Sequence, residues 1–294
     1  MTMVSHIQVE LFKLYRQRAT RICLAGVFFW TAFGLIMISL ALVREYISAQ
    51  IGGNEVSIFQ LGIDEQIETG FTFFRTLPDQ FRQGQWLPYL LYGEGNDLLI
   101  TIADVLVIVC LASMLELGRF RGIVRLLLGH GLRRAQYTLA QGIALLIYLL
   151  GLWMIVVLLE ALLSQALLLA HGFPGWQAAY WLDVARVVGG NALWHFVLVG
   201  VVYLTVAVFH SPVIGVLGGF VYRFYLHYKI HEFLSDLAGP QWARYTPEIA
   251  SKTLLDPTLP LSGSEVVLWW LVLFAWGAAC FALAALCFDK QDFV

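Results

Sequence analysis

Charge is what this sequence has least of. Only 13% of its 294 residues are Asp, Glu, Lys or Arg, whereas soluble domains carry roughly a quarter. That scarcity, with 60% hydrophobic residues, excludes an ordinary soluble domain. Lysine is the rarest cation, and its four copies follow Phe12, Tyr228, Ser251 and Asp289. A phosphate-binding P-loop needs Gly-Lys followed by Ser or Thr, so this chain has no such loop of its own. The four cysteines, Cys23, Cys110, Cys280 and Cys287, sit in or beside apolar runs without metal-ligand spacing. They read as small packing residues and exclude a disulfide framework. No internal repeat is visible, so the inverted-repeat design of many secondary transporters gains no support. The first apolar run is too long for a cleaved signal peptide and has no small-residue cleavage site, so it is expected to remain as a span.

What is present is a series of apolar runs near the roughly 20 residues that a helix needs to cross a bilayer. They predict an all-α polytopic membrane protein with six spans, at about 22–43, 98–115, 138–165, 187–209, 213–232 and 266–288. Residues 1–21 are basic, and Ile7, Leu11 and Leu14 recur at helical spacing, which predicts an amphipathic helix on the inner membrane surface. The third apolar run continues to about Ala170 and must tilt or project outward. His210-Ser211-Pro212 predicts a tight inner turn. Segments 45–97 and 233–264 are expected outside. The first holds helical apolar spacing at Ile63, Ile67, Phe71 and Phe74, and the second holds four prolines and reads as irregular or re-entrant. Trp269, Trp270 and Trp276 read as lipid or packing anchors in the last span.

Between the second and third spans lies a basic connection, 116–137. It holds Glu116, Gly118, Arg119, Arg121, Arg125, Arg133 and Arg134, with no acid after Glu116. Phe120, Ile123, Val124 and Leu127 share one helical face and Arg121 and Arg125 another. Together with Lys13, Arg16, Arg18, Arg21 and Lys290, these regions hold ten of the 18 Lys and Arg residues. By the positive-inside rule both termini and this connection face the cytoplasm.

Ionisable residues inside the apolar runs are the candidate pathway. Asp104 lies roughly 9 Å into the second span, where a carboxylate is costly and calls for a partner or a role. It either pairs with Arg223, if their spans are neighbours, or lines the pathway. Arg223 follows only about ten apolar residues of the fifth span, near mid-membrane on a straight helix. That span is therefore either sheltered by protein in its outer half or lines a wet cavity. Arg223, His227 and His231 recur at i, i+4, i+8, which suits a solvated outer face, an anionic cargo or lipid headgroup or, least of all, a metal. His195, alone in the fourth span, is expected to hydrogen-bond a neighbouring helix. Glu160 lies far enough along the third span to reach the outer interface.

Four stretches resemble the membrane subunit of ABC-2 type ABC transporters. ELFKLYRQRATR resembles that family's helix before the first span. ASMLELGRFRGIVRLLLGHGLRRAQYTLAQ resembles its inner connection, with Glu116, Gly118, Leu127-Leu128, Arg133 or Arg134 and Gln141 at the matching places. RYTPEIAS resembles its external Y-x-P before the sixth span, and CFDKQDF its final F-x-x-[KR]-D. The chain departs at Gln141, where a Lys is common, in the long segment after the first span, and in the basic run after Tyr222. The resemblance implies a type V exporter-like membrane domain in a bacterial inner membrane. The connection from Glu116 to Arg134 would be a coupling helix docked on an ABC ATPase subunit. Two permease subunits, identical or not, would pair with two ATPase subunits that bind ATP and Mg. This chain would carry no cofactor or metal, bind no nucleic acid and have no catalytic residues. The alternatives are an ion-coupled carrier using Asp104 and a membrane-embedded enzyme, for which no nucleophile–base spacing is present.

Overall fold

The computed structural model describes residues 3–16, positions 18, 21, 22, 25, 26 and 29, and then 103–109, 134–170, 181–256, 259 and 261–289. The helices are α1 (Met3–Arg16), α2 (Arg134–Ala170), α3 (Trp181–Phe209), α4 (Pro212–Val221), a π-helical turn (Tyr222–Leu226), α5 (His227–Ala238), α6 (Pro240–Ala243), α7 (Pro247–Leu255) and α8 (Gly263–Asp289). Residues 103–109 are helical as well, and no strand occurs among the described residues. The expected first span is described only at single positions and the second only at 103–109; segment 45–97 lies outside the described residues.

Three of the described helices are long and apolar enough to cross a membrane: Gln136–Leu159 in α2, Val184–Phe209 in α3 and Gly263–Cys287 in α8. They match the expected third, fourth and sixth spans. The crossing-length part of α2 ends at Leu159, immediately before Glu160, and the helix continues to Ala170. The expected fifth span is different. Its apolar part, α4, is only 10 residues, and the helix runs on through the π turn into the polar α5.

α3 is the central post, packed by α2, α4, α7 and α8. Its crossing with α8 is close because both helices carry glycine there. A Cβ added to Gly200 would lie 2.9 Å from Cys280 Cβ and 3.2 Å from the Gly277 carbonyl. Small residues of this kind let backbones approach where apolar helices meet. After α3 the chain reverses at His210, whose φ of 57° is in the left-handed region. Ser211 then caps α4 and Pro212 occupies its first turn, so the turn expected at 210–212 is present.

α1 carries the expected apolar residues Ile7, Leu11 and Leu14 on the side that packs against the bundle. It packs on α2 and buries His6, Glu10 and Leu14, with Ile7 and Leu11 only partly covered and Val4, Phe12 and Tyr15 exposed. Its buried seam is thus half polar, and Lys13 meets Glu10 at 2.5 Å.

The segment before α8 folds back along the bundle. Tyr245 offers its carbonyl to Trp276 Nε1 at 3.0 Å, and Trp276 is about 20 Å along α8 at 1.5 Å per residue. From there α7 returns beside α3. Its Ala250 and Leu254 pack with Trp194 and Leu198, and Leu254 and Leu255 border Gly190. Arg186, buried near the start of α3, closes the return by donating to the carbonyls of Leu259 (2.7 Å) and Asp256 (2.6 Å). The expected irregular or re-entrant segment is therefore a helical hairpin reaching half the length of α8.

Candidate functional site

The site is built at mid-length of α3, about 20 Å from either end at helical rise. Adjacent residues Trp194 and His195 both reach Asp104, which is fully buried in stretch 103–109. Trp194 Nε1 donates to Asp104 Oδ1 at 3.1 Å, and His195 Nε2 lies 2.9 Å from the same oxygen. The imidazole approach is oblique, so it is an electrostatic contact more than a formed hydrogen bond. The second oxygen, Oδ2, accepts from Arg223 Nε on the π turn. The pairing of Asp104 with Arg223, left open by the sequence, is present, and their two segments are neighbours. The Arg223 guanidinium also lies 5.9 Å from the Trp194 ring, an added attraction between cation and indole face.

α2 completes the network. Trp153 Nε1 donates to His195 Nδ1 at 2.9 Å, with the two rings 12° from parallel. An indole nitrogen only donates, so Nδ1 presents its lone pair and the ring proton sits on Nε2, toward Asp104. His195 therefore makes the expected bond to a neighbouring helix. Four segments meet here: α2, α3, 103–109 and the π turn. One guanidinium faces one carboxylate, and both carboxylate oxygens are engaged.

The sequence expectation for Arg223, His227 and His231 needs correction. They do not form a solvated face. His227 is buried against Trp194, with ring centroids 6.0 Å apart, and its Nδ1 lies 2.9 Å from the Tyr222 carbonyl, which can only accept. The same carbonyl accepts the His227 backbone N–H. His227 thus closes the π turn with two bonds to one oxygen. His231 turns to the Ala243 carbonyl (3.2 Å) and Thr246 Oγ1 (3.3 Å) in the hairpin. The i, i+4, i+8 spacing does keep Arg223 and His227 on one side, both against Trp194, but that side faces the protein and not solvent. With Arg223 held by Asp104 and both histidines on protein carbonyls, the three do not converge on one ligand.

Of the expected coupling residues, Glu116, Gly118, Arg119, Arg121, Arg125 and Arg133 lie outside the described residues, and Arg134 opens α2. Gln141, matched to the family's usual Lys, is well placed. Its Nε2 donates to Tyr137 Oη and its Oε1 accepts from Tyr203 Oη, both at 2.7 Å, tying the base of α2 to α3. Trp276 anchors the hairpin, and Trp270 fills the space against Gly189, where a Cβ would come within 2.5 Å of the indole. Trp153, Trp194 and the π turn carried no sequence signal as site residues.

No protein-family model, curated protein or solved structure matches this chain. The family resemblance rests on its four motifs alone.

Proposed function

We propose that the chain is a six-span permease subunit of an ABC-2 type transporter in a bacterial inner membrane. It works with a second permease subunit and a separate ABC ATPase, and moves its cargo outward. The observation that supports this reading best is the mechanical path leading from the basic connection. The connection runs directly into α2 at Arg134. α2 is fastened to α3 first through Gln141 and again through Trp153 and His195. His195, Asp104 and Arg223 then carry the linkage to the π turn. A push delivered at the coupling helix by ATPase closure would reach the helices that border the pathway as one rigid displacement. The energy source belongs to the partner, since no Gly-Lys phosphate loop exists in this sequence.

The test is charge reversal of the elbow, Arg121→Glu with Arg125→Glu, in the complex reconstituted into lipid. Substrate-stimulated ATP hydrolysis is expected to vanish while the subunit stays monodisperse. Unchanged stimulation, or purification of the native protein with no Walker-type ATPase bound, would count against the reading.

A further inference from the structure

α5 carries two different exposed strips. Lys229, Glu232 and Asp236 fall within about 60° of one another at 100° per residue, and all three are exposed. Lys229 and Glu232 pair at 2.5 Å. Directly beside them lie Phe233 and Leu237, 62% and 70% exposed. The opposite side, with His227, Ile230 and His231, faces the protein. Among the described helices α5 packs mainly on α6 and α7, and they meet it on the side away from the charged strip.

Depth makes this arrangement informative. The charged strip begins two residues beyond His227, which touches Trp194 at mid-length of α3. If α3 crosses the bilayer, Lys229 starts near its centre and Asp236 ends near one surface. Charged side chains at such depth either face protein or line water. Lys229 and Glu232 offset one another, yet all three side chains stay exposed, and the adjacent Phe233 and Leu237 suit lipid.

We infer that the strip Lys229–Glu232–Asp236 lines a water-filled cleft, with Phe233 and Leu237 on its lipid side. The Asp104–Arg223 pair lies on the other, protein-facing side of the helix, against Trp194, and is not part of that cleft. The inference rests on the membrane reading above and not on the identity of the motor. The strip holds one cation and two acids, a net negative charge that disfavours an anionic cargo.

Single cysteines at 229, 232, 233, 236 and 237, in a background with the native cysteines replaced, test it. Membrane-embedded protein is treated with a charged, membrane-impermeant methanethiosulfonate, and total thiol is confirmed after denaturation. The variants Lys229→Cys, Glu232→Cys and Asp236→Cys should react on the order of tenfold or more faster than Phe233→Cys and Leu237→Cys, because only a hydrated thiol ionises to the reactive thiolate. Equal fast labelling at all five positions would place α5 wholly in water and overturn the cleft. So would slow labelling at all five, or a fast reaction that stops short of residue 229. The measurement needs no ATPase, so it stands or falls separately from the coupling test.

Discussion

The crossing-length parts of α3 and α8 have the same mean hydropathy, yet 72% of that of α3 is buried inside the molecule and only 22% of that of α8. Hydropathy does not separate a central helix from a peripheral one when both are apolar throughout. The difference lies in a few side chains. α3 carries Arg186, Asn191, Trp194 and His195, all buried, while α8 exposes Val267, Leu271, Leu283 and Leu286. In a soluble protein buried polarity is the exception. Here it marks the post around which the other helices assemble, because a polar group among apolar helices must find a partner inside the bundle.

The largest effect expected from breaking this contrast is at Asp104. Asp104→Leu takes the carboxylate from the largely buried Arg223, and removes the acceptor of Trp194 Nε1 and the charge that faces His195. It should cost about 3–5 kcal/mol, the usual penalty for orphaning one member of a buried pair. Loss of the monodisperse peak in a heating series would report it. Replacing Arg223 by Gln in the same chain should return part of the loss, and an unaltered transition in the single variant would remove the network from the stability of the bundle. A paired truncation sharpens the comparison. Leu198→Ala, fully buried on α3, should cost about 2 kcal/mol or more through the cavity it leaves. Leu283→Ala, exposed on α8, should stay within about 0.5 kcal/mol. Equal shifts would mean that α8 is covered in the assembled protein. Within the network the smallest effect is at Trp153→Phe, which keeps the packing and deletes the donor to His195 Nδ1, for about 1 kcal/mol. A loss as large as that at Asp104 would show that the indole bond is essential to the network.

The sequence made the apolar helices legible because length and composition suffice for them, and α2, α3 and α8 fall where expected. It made the Asp104–Arg223 pairing legible as one option of two, since two opposite charges in apolar runs have few other ways to be satisfied. It did not reveal that adjacent residues 194 and 195 converge on that carboxylate. The convergence depends on how stretch 103–109 crosses α3, and helical spacing carries no record of that. His227 and His231 differ for a sharper reason. Spacing assigns them to one face but carries no record of what that face meets, and here it meets Trp194 and the hairpin. The hairpin 239–256 was only half legible. Its prolines signalled irregular chain, but Pro240 and Pro247 sit at helix starts, where a missing N–H costs nothing.

The π turn also separates α4 from α5 in a way that single substitutions cannot. Deleting one residue within 222–226 would remove the residue that this wide turn absorbs, so ordinary helical winding would return with α5 facing nearly as it does now. The same deletion in the regular helix on either side would instead turn everything downstream by about 100° and carry the histidines off their carbonyls. A codon lost at the turn is therefore tolerated by the register of α5, whereas one lost a few residues away is not.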